Sequence, residues 1–392
     1  MTSITIKPSQ IANKTANWSE RMGYFALLWV AMMGAAVTTL MPLILGAFSD
    51  TGHFTIQQVG WLTSADVAGI LISSASAFLW VRNVSWKPVV VITLVGFIVS
   101  NAISAQLSDY SYLLLCRFIA GLCCGVSYAI ALAALGDKDN SDKAFGDAVT
   151  LQVIYGTLGF AILPWVIENW SLAGIFQFFN ISLLITLGLV VWHFPKNKRT
   201  DTSSSPLTNI HFSPVALIFF AIVCYYFAQG MIWAHLERIG DAHGISRSDI
   251  GLILSVGFGI SALGSWLSGI VVNKFGRTTS LYMTLALQLG CISALMLMNE
   301  SFAWIIYAIA TMIYQIFWSF VVPIMMAIFN DSDKSGRLIV FCISAFKLGL
   351  VAGPPVAGFI LTYYTQNHVI ALGAAAMVLS LACCHLATKK LK

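Results

Sequence analysis

Three ionisable side chains fall well inside long apolar runs, away from their ends, where a charge is costly to keep. Lys347 stands ten residues into the run 337–363, Asp66 eight residues into 58–81, and Arg117 five residues into 112–135. If these runs cross a bilayer, an ammonium at the depth of Lys347 costs roughly 3 kcal/mol or more. At about 15 Å from the start of its run it is too deep to snorkel easily. Such a group holds a substrate carboxylate, alternates between charge states, or belongs to a structural ion pair. Asp66, about 12 Å deep, can take up and release a proton, and Thr63 and Ser73 fall near its helix face. Arg117 is only about 8 Å in, where an interface anchor and a gating or proton-coupling role are both open.

Two polar-aromatic stripes accompany these charges. Tyr225, Gln229 and Trp233 follow one another at i, i+4 and i+8, and Tyr307, Thr311, Tyr314, Gln315 and Trp318 crowd one side of a second run. Aromatic residues alone favour the membrane interface, but Gln and Thr among them predict a cavity wall that binds substrate. His235 has either a protonation role or a structural one. Glu237, Arg238, Asp241 and His243 read as the solvated rim of an outer gate, and Asp147 and Asp249 as carboxylates at helix starts.

The elements that must position these groups follow from composition. Of 392 residues, 58% are apolar and only 9% charged, against about a quarter charged in soluble domains. This predicts an all-α membrane protein. Read with spans of about 20 residues, the apolar runs fall at 23–47, 58–81, 88–106, 112–135, 145–167, 171–193, 213–236, 248–272, 280–298, 302–328, 338–363 and 367–388. The expected organisation is a tail at 1–22, a six-helix bundle at 23–193, a central loop at 194–212, a second six-helix bundle at 213–388 and a short tail at 389–392. Seventeen of the 21 Lys and Arg residues lie on one side of these spans, which predicts cytoplasmic termini in a plasma (inner) membrane protein. No signal peptide is read at the amino terminus. All eight cysteines lie within the runs without metal-site spacing and read as small buried side chains. The net charge of +5 comes mainly from cytoplasmic loops, so no nucleic-acid partner is expected.

The halves repeat each other. A shift of 191 places Val59-Gly60 on Ile250-Gly251, and a shift of 194 places Asp137, Asp139, Ser141 and Lys143 on Asp331, Asp333, Ser335 and Arg337. Paired halves are common in secondary transporters, with binding at the interface near mid-membrane. The segment Gly269-Ile-Val-Val-Asn273-Lys274-Phe-Gly276-Arg277 is similar to the Gly-x-x-x-Asp-(Arg/Lys)-x-Gly-(Arg/Lys) loop motif of the major facilitator superfamily, with Asn273 in place of the acid. The first-half loop keeps Gly60 and Gly69, then departs at Val81-Arg82-Asn83-Val84. Leu113-x3-Arg117-x2-Ala120-Gly121 resembles a second family motif, with Ala120 replacing its Gln, and Pro42 also fits. The fifth run has Gly156-Thr-Leu-Gly159 and Pro164 but lacks the antiporter pattern.

The resemblance covers the whole chain and implies twelve transmembrane helices in two pseudo-symmetric bundles. It implies that the first, fourth, seventh and tenth helices line the cavity, which adds Thr38, Thr39 and Tyr128 to its wall. It gives Lys274 and Arg277 a gating role and strengthens one for Arg117. It also makes the second and eleventh helices neighbours across the halves. With Asp66 about 12 Å below one surface and Lys347 about 15 Å above the other in a core of about 30 Å, a salt bridge between them is geometrically possible. It is either a coupling switch released by protonation or by an anion, or a fixed structural pair.

Two intramembrane cations against one deep acid predict a secondary transporter of a small carboxylate-type anion, working by proton symport. The alternative is a proton-coupled exporter of drugs or cations, with Asp66 and the aromatic stripes as a cation–π site; the first helix carries no acid for it. The chain has no HExxH, GxSxG or CxxC motif, so no enzymatic activity and no cofactor are expected, and the fold can work as a monomer.

Overall fold

The computed structural model describes residues 8–138, 141–195, 212–299, 301–331 and 339–390. Most of the expected central loop, and the segment bearing Lys334 and Arg337, lie outside these residues.

The first half comprises α1 (Pro8–Thr39), α2 (Met41–Asp50), α3 (Ile56–Trp80), α4 (Trp86–Ser104), α5 (Tyr110–Gly136) and α6 (Ser141–His193). The second comprises α7 (Phe212–Ala234), the short α8 (Leu236–Asp241), α9 (Arg247–Phe275), α10 (Arg277–Met296), α11 (Ala303–Asp331), α12 (Ile339–Tyr363) and α13 (Gln366–Lys390). Ten of the described helices are long and apolar enough to cross a membrane. One of these, the 50-residue apolar stretch Ala144–His193, supplies two crossings, and the more polar α3 supplies another, giving twelve.

Local chemistry explains where the elements begin and turn. The α6 segment reverses at Ser171, whose φ of 52° and ψ of −148° are non-helical. The Tyr155 hydroxyl donates to Ser182 Oγ at 3.2 Å, although 27 residues of straight helix would separate them by about 40 Å. Thr55 opens α3 with a capping box to Gln58, and Asp109 caps α5 through the amides of Ser111 and Tyr112. The Ser246 hydroxyl caps α9 through the Asp249 amide and donates to its carboxylate. Gly276 alone separates α9 from α10 with a φ of 79°, a conformation that suits glycine.

Pro42 divides the first crossing into α1 and α2. It has no N–H to give the Thr38 carbonyl four residues earlier, so that acceptor is left for another donor.

The halves meet where α3 packs along α12 and α6 along α9. Gly60 allows a close approach of the α3 and α12 backbones: a methyl group there would lie 2.5 Å from the Pro354 carbonyl. Large apolar side chains such as Ile92 and Trp192 are more than two-thirds exposed, as expected of surfaces facing lipid rather than water.

Candidate functional site

Asp66 and Arg117 meet inside the first half. Arg117 Nη2 lies 2.6 Å from Asp66 Oδ1, and its Nε donates to the same carboxylate at 3.0 and 3.2 Å. Both side chains are at most 3% exposed. Arg117 Nη1 reaches Asn101 Oδ1 at 2.8 Å and Ser104 Oγ at 3.3 Å, while the guanidinium lies 4.7 Å from the Phe176 ring. Asn101 in turn donates to Asn180 at 3.1 Å. One buried network therefore ties α3, α4, α5 and both crossings' neighbour, α6. Gly121 makes it possible, because any Cβ there would collide with the Asp66 backbone.

This overturns one pairing and removes one of the two readings left open for Arg117. Asp66 is paired with Arg117, not with Lys347, and Arg117 is a fully engaged buried cation rather than an interface anchor. The reason lies in which neighbour each side chain faces, not in depth. Gly60 against Pro354 and Gly358 against Ile56 keep Asp66 and Lys347 near one level. Gly121, however, seats α5 on the Asp66 backbone so that Arg117 takes the carboxylate, while Lys347 lies over Tyr128.

Lys347 is 7% exposed, and its Nζ lies 5.9 Å from the centre of the Tyr128 ring on α5. Among the described residues no acidic side chain pairs with it. Tyr128 packs on Gly34 of α1, so Lys347 reaches from the second half to the α1–α5 wall of the first. Arg117, Gly121, Cys124 and Tyr128 recur at i, i+4, i+7 and i+11, one face of α5. From Arg117 to Tyr128 that face runs about 16 Å and links the buried pair to the ring over which Lys347 lies.

The second-half stripes divide by role. Tyr225 donates to Gln288 of α10 at 3.2 Å, Tyr307 to the Leu236 carbonyl at 2.9 Å, and Tyr314 to Gln229 at 2.9 Å. The hydroxyls of Tyr225 and Tyr307 thus brace the second half rather than standing open as substrate ligands. Eight residues of helix rotate about 80° past two whole turns, which carries the Tyr225 stripe from α10 round to Trp233 at the interface. Gln229 Nε2, Thr311 Oγ1 and both amide atoms of Gln315 are buried without a hydrogen-bond partner. Buried polar atoms of this kind normally have a partner, water or ligand included.

Trp233 spans the halves. Its indole donates to the Thr38 carbonyl at 3.3 Å, the acceptor that Pro42 leaves free. Its ring meets Phe160 of α6 at 5.7 Å and Phe258 of α9 at 6.3 Å, and Phe258 stacks on Trp318 at 6.4 Å. Trp233→Phe should keep the ring contacts but orphan the carbonyl. A loss of about 1–3 kcal/mol is expected in this closure, read as weaker protection of α1 and α2 amides from hydrogen exchange.

The end where α2 finishes and α3 begins is held by charges. Arg238 bonds the Gly46 carbonyl and Asp50, and Arg247 bonds the other Asp50 oxygen, so both second-half arginines grip one first-half acid. Glu237 is only 2% exposed, not a solvated rim residue. His235 is buried with Nδ1 on the Met231 carbonyl at 2.9 Å; burial pushes it down to about 4, so it stays neutral near pH 7.

At the opposite ends of these helices, Lys274 lies 5.3 Å from the Phe275 ring and, like Arg277, is exposed. The degraded first-half loop still has a charge lock: Arg82 grips Asp137 with two bonds of 2.5 and 2.8 Å. Sequence reasoning missed Asn101, Asn180, Asp50, Phe160 and Phe258. The two asparagines within apolar runs were the available signal, since polar side chains there commonly bond across helices.

Twelve crossings in two paired halves, with buried charges at their centre, define a transporter of the alternating-access architecture. The chain belongs to the major facilitator superfamily: the family model described as Major Facilitator Superfamily matches residues 23–338 and 218–390. A curated relative, the uncharacterized MFS-type transporter YcaD of Escherichia fergusonii, is 22% identical over 360 residues, covering 87% of this chain and 88% of that protein. The solved D-xylose-proton symporter superposes with a TM-score of 0.74 at 13% identity, covering 93% of this chain and 96% of its own. A mutant of the nucleoside transporter NupG superposes at 0.72 and 13% identity, covering 94% and 100% respectively. These structural likenesses establish the fold.

Proposed function

We propose that this transporter carries a small organic anion by proton symport, with Lys347 holding the substrate carboxylate. The observation that carries this reading is a buried ammonium at the junction of the halves with no acidic partner among the described residues. An anion arriving there supplies the missing countercharge, and Tyr128 offers an aromatic surface beside it. Gln229, Thr311 and Gln315 supply donors and acceptors for the rest of the solute, with Trp233 and Trp318 as apolar wall.

The proton acts at the Asp66–Arg117 pair. Protonating Asp66 cancels the charge attraction across α3 and α5, and the shared face of α5 carries the change toward Tyr128 and Lys347. Cation export is less well supported, because Asp66 is already neutralised by Arg117. The Lys and Arg asymmetry supports cytoplasmic termini in a plasma (inner) membrane, which places the Asp50 end outside. Lys274 and Arg277 fall at the inner gate, and a monomer suffices for the cycle.

A solute panel in proteoliposomes tests the substrate class. Monocarboxylates and dicarboxylates, a sugar, a nucleoside and a lipophilic cation are each offered under an inward proton gradient. Uptake confined to carboxylates is expected; uptake of the sugar, the nucleoside or the cation with none of the acids would sink the reading.

A further inference from the structure

We propose that Glu237 is a proton-binding site whose neutral form latches the two halves together at the Asp50 end. It sits in α8, between the last turn of α7 and the start of α9, outside the spans and away from Lys347.

The geometry leaves this carboxyl group short of partners. From α2, Asp50 occupies both Arg238 and Arg247. Arg238 is also shared with Asp241 at 3.3 Å. Glu237 retains one 3.4 Å contact, from Arg247 Nε to Oε1, while Oε2 is buried with no hydrogen-bond partner. Oε2 is pressed against Gly46 so closely that a Cβ there would collide with it. From α11, the Tyr307 hydroxyl is committed to the Leu236 carbonyl. His235, at the start of α8, is neutral and turned to Met231.

Charge counting gives the same answer. Asp50 and Asp241 already balance Arg238 and Arg247, so an ionised Glu237 leaves one buried negative charge in excess. A neutral Glu237 leaves none. The Gly46 seat belongs to the first half and Glu237 to the second, so the carboxyl group can regain water only when the halves part at this end.

The pH dependence follows from that difference. Burial pushes Glu237 up from an ordinary 4.5 to about 7, with the two arginines opposing less strongly. Opening to water returns it toward the ordinary value. The closed state therefore binds the proton more tightly, is favoured at low pH, and loses that advantage as pH rises from about 4.5 to about 7.

The test is the distance between spin labels carried on unnatural amino acids at His53 and Ala242, exposed positions on opposite halves at this end. The full chain is measured in lipid nanodiscs across pH 4.5–8 without substrate. The closed-to-open ratio should fall by roughly 100-fold over this range. Glu237→Gln should stay closed at pH 8, and Glu237→Asp should keep a pH response with a shifted midpoint. A wild-type ratio independent of pH overturns the proposal, as does a Glu237→Gln protein that follows the wild-type curve. If Glu237→Gln does not fold, an unshifted midpoint in Glu237→Asp overturns it. Since no solute is added, failure here leaves the anion reading standing.

Discussion

Lys347→Gln is expected to abolish most anion uptake while making the protein more stable. Truncating one partner of a desolvated charge pair costs about 2–5 kcal/mol, so the initial rate at limiting solute should fall by roughly 30-fold to several thousand-fold. Lys347→Arg should retain part of the rate, because the charge remains although its shape and hydration differ. Stability should move the other way. In the empty protein the ammonium is buried without an acidic partner among the described residues, and its neutral replacement removes a charge costing roughly 3 kcal/mol. Thermal unfolding in detergent and uptake in proteoliposomes read the two effects separately. A lysine serving only the fold would give the reverse pattern, with lower stability and little change in uptake per folded molecule.

Arg117→Gln should be the most destabilising polar substitution in the first half. It leaves Asp66 buried without a charge partner and deprives Asn101 and Ser104 of their donor. Breaking a buried pair from one side typically costs about 3–5 kcal/mol. The double variant Asp66→Asn with Arg117→Gln removes both charges together, and most of that loss should be recovered. Transport by the double variant should nevertheless be uncoupled from the proton gradient, because the group that takes the proton is gone. Unfolding midpoints of the two single variants and the double variant form a cycle that isolates the pair. Near-additive losses would show that Asp66 and Arg117 do not act as a unit.

The helices were largely legible because the bilayer demands apolar runs of a recognisable length. The reversal at Ser171 was marked by the break between two predicted runs, and the loop motif ending in Gly276-Arg277 marked the α9–α10 turn. Lys347 was visible as a lone cation in an apolar run. The partner of Asp66 was not read correctly, although the signal existed: Asp66 and Arg117 lie at similar depths from the same ends of α3 and α5. Gly121, between Arg117 and Tyr128, was the residue that allows the two backbones to touch. Pairing by depth across α3 and α12 failed because equal depth does not fix facing: the Asp66 carboxylate meets Arg117 of α5, which Gly121 brings against it. The closure at Asp50 was hidden for another reason. Its arginines lie nearly 200 positions away in sequence, and local pattern carries no trace of such contacts.

Proton movement driven by solute tests the central claim most directly. Proteoliposomes holding a pH-sensitive dye, without an imposed gradient, are given an acid taken up by the wild-type protein, and Lys347→Gln vesicles are measured in parallel. The account predicts acidification of the lumen by wild-type vesicles on addition of the acid and no such response from Lys347→Gln. Equal acidification by both would contradict it, and would mean that the anion and its proton cross without the ammonium at the centre of the fold.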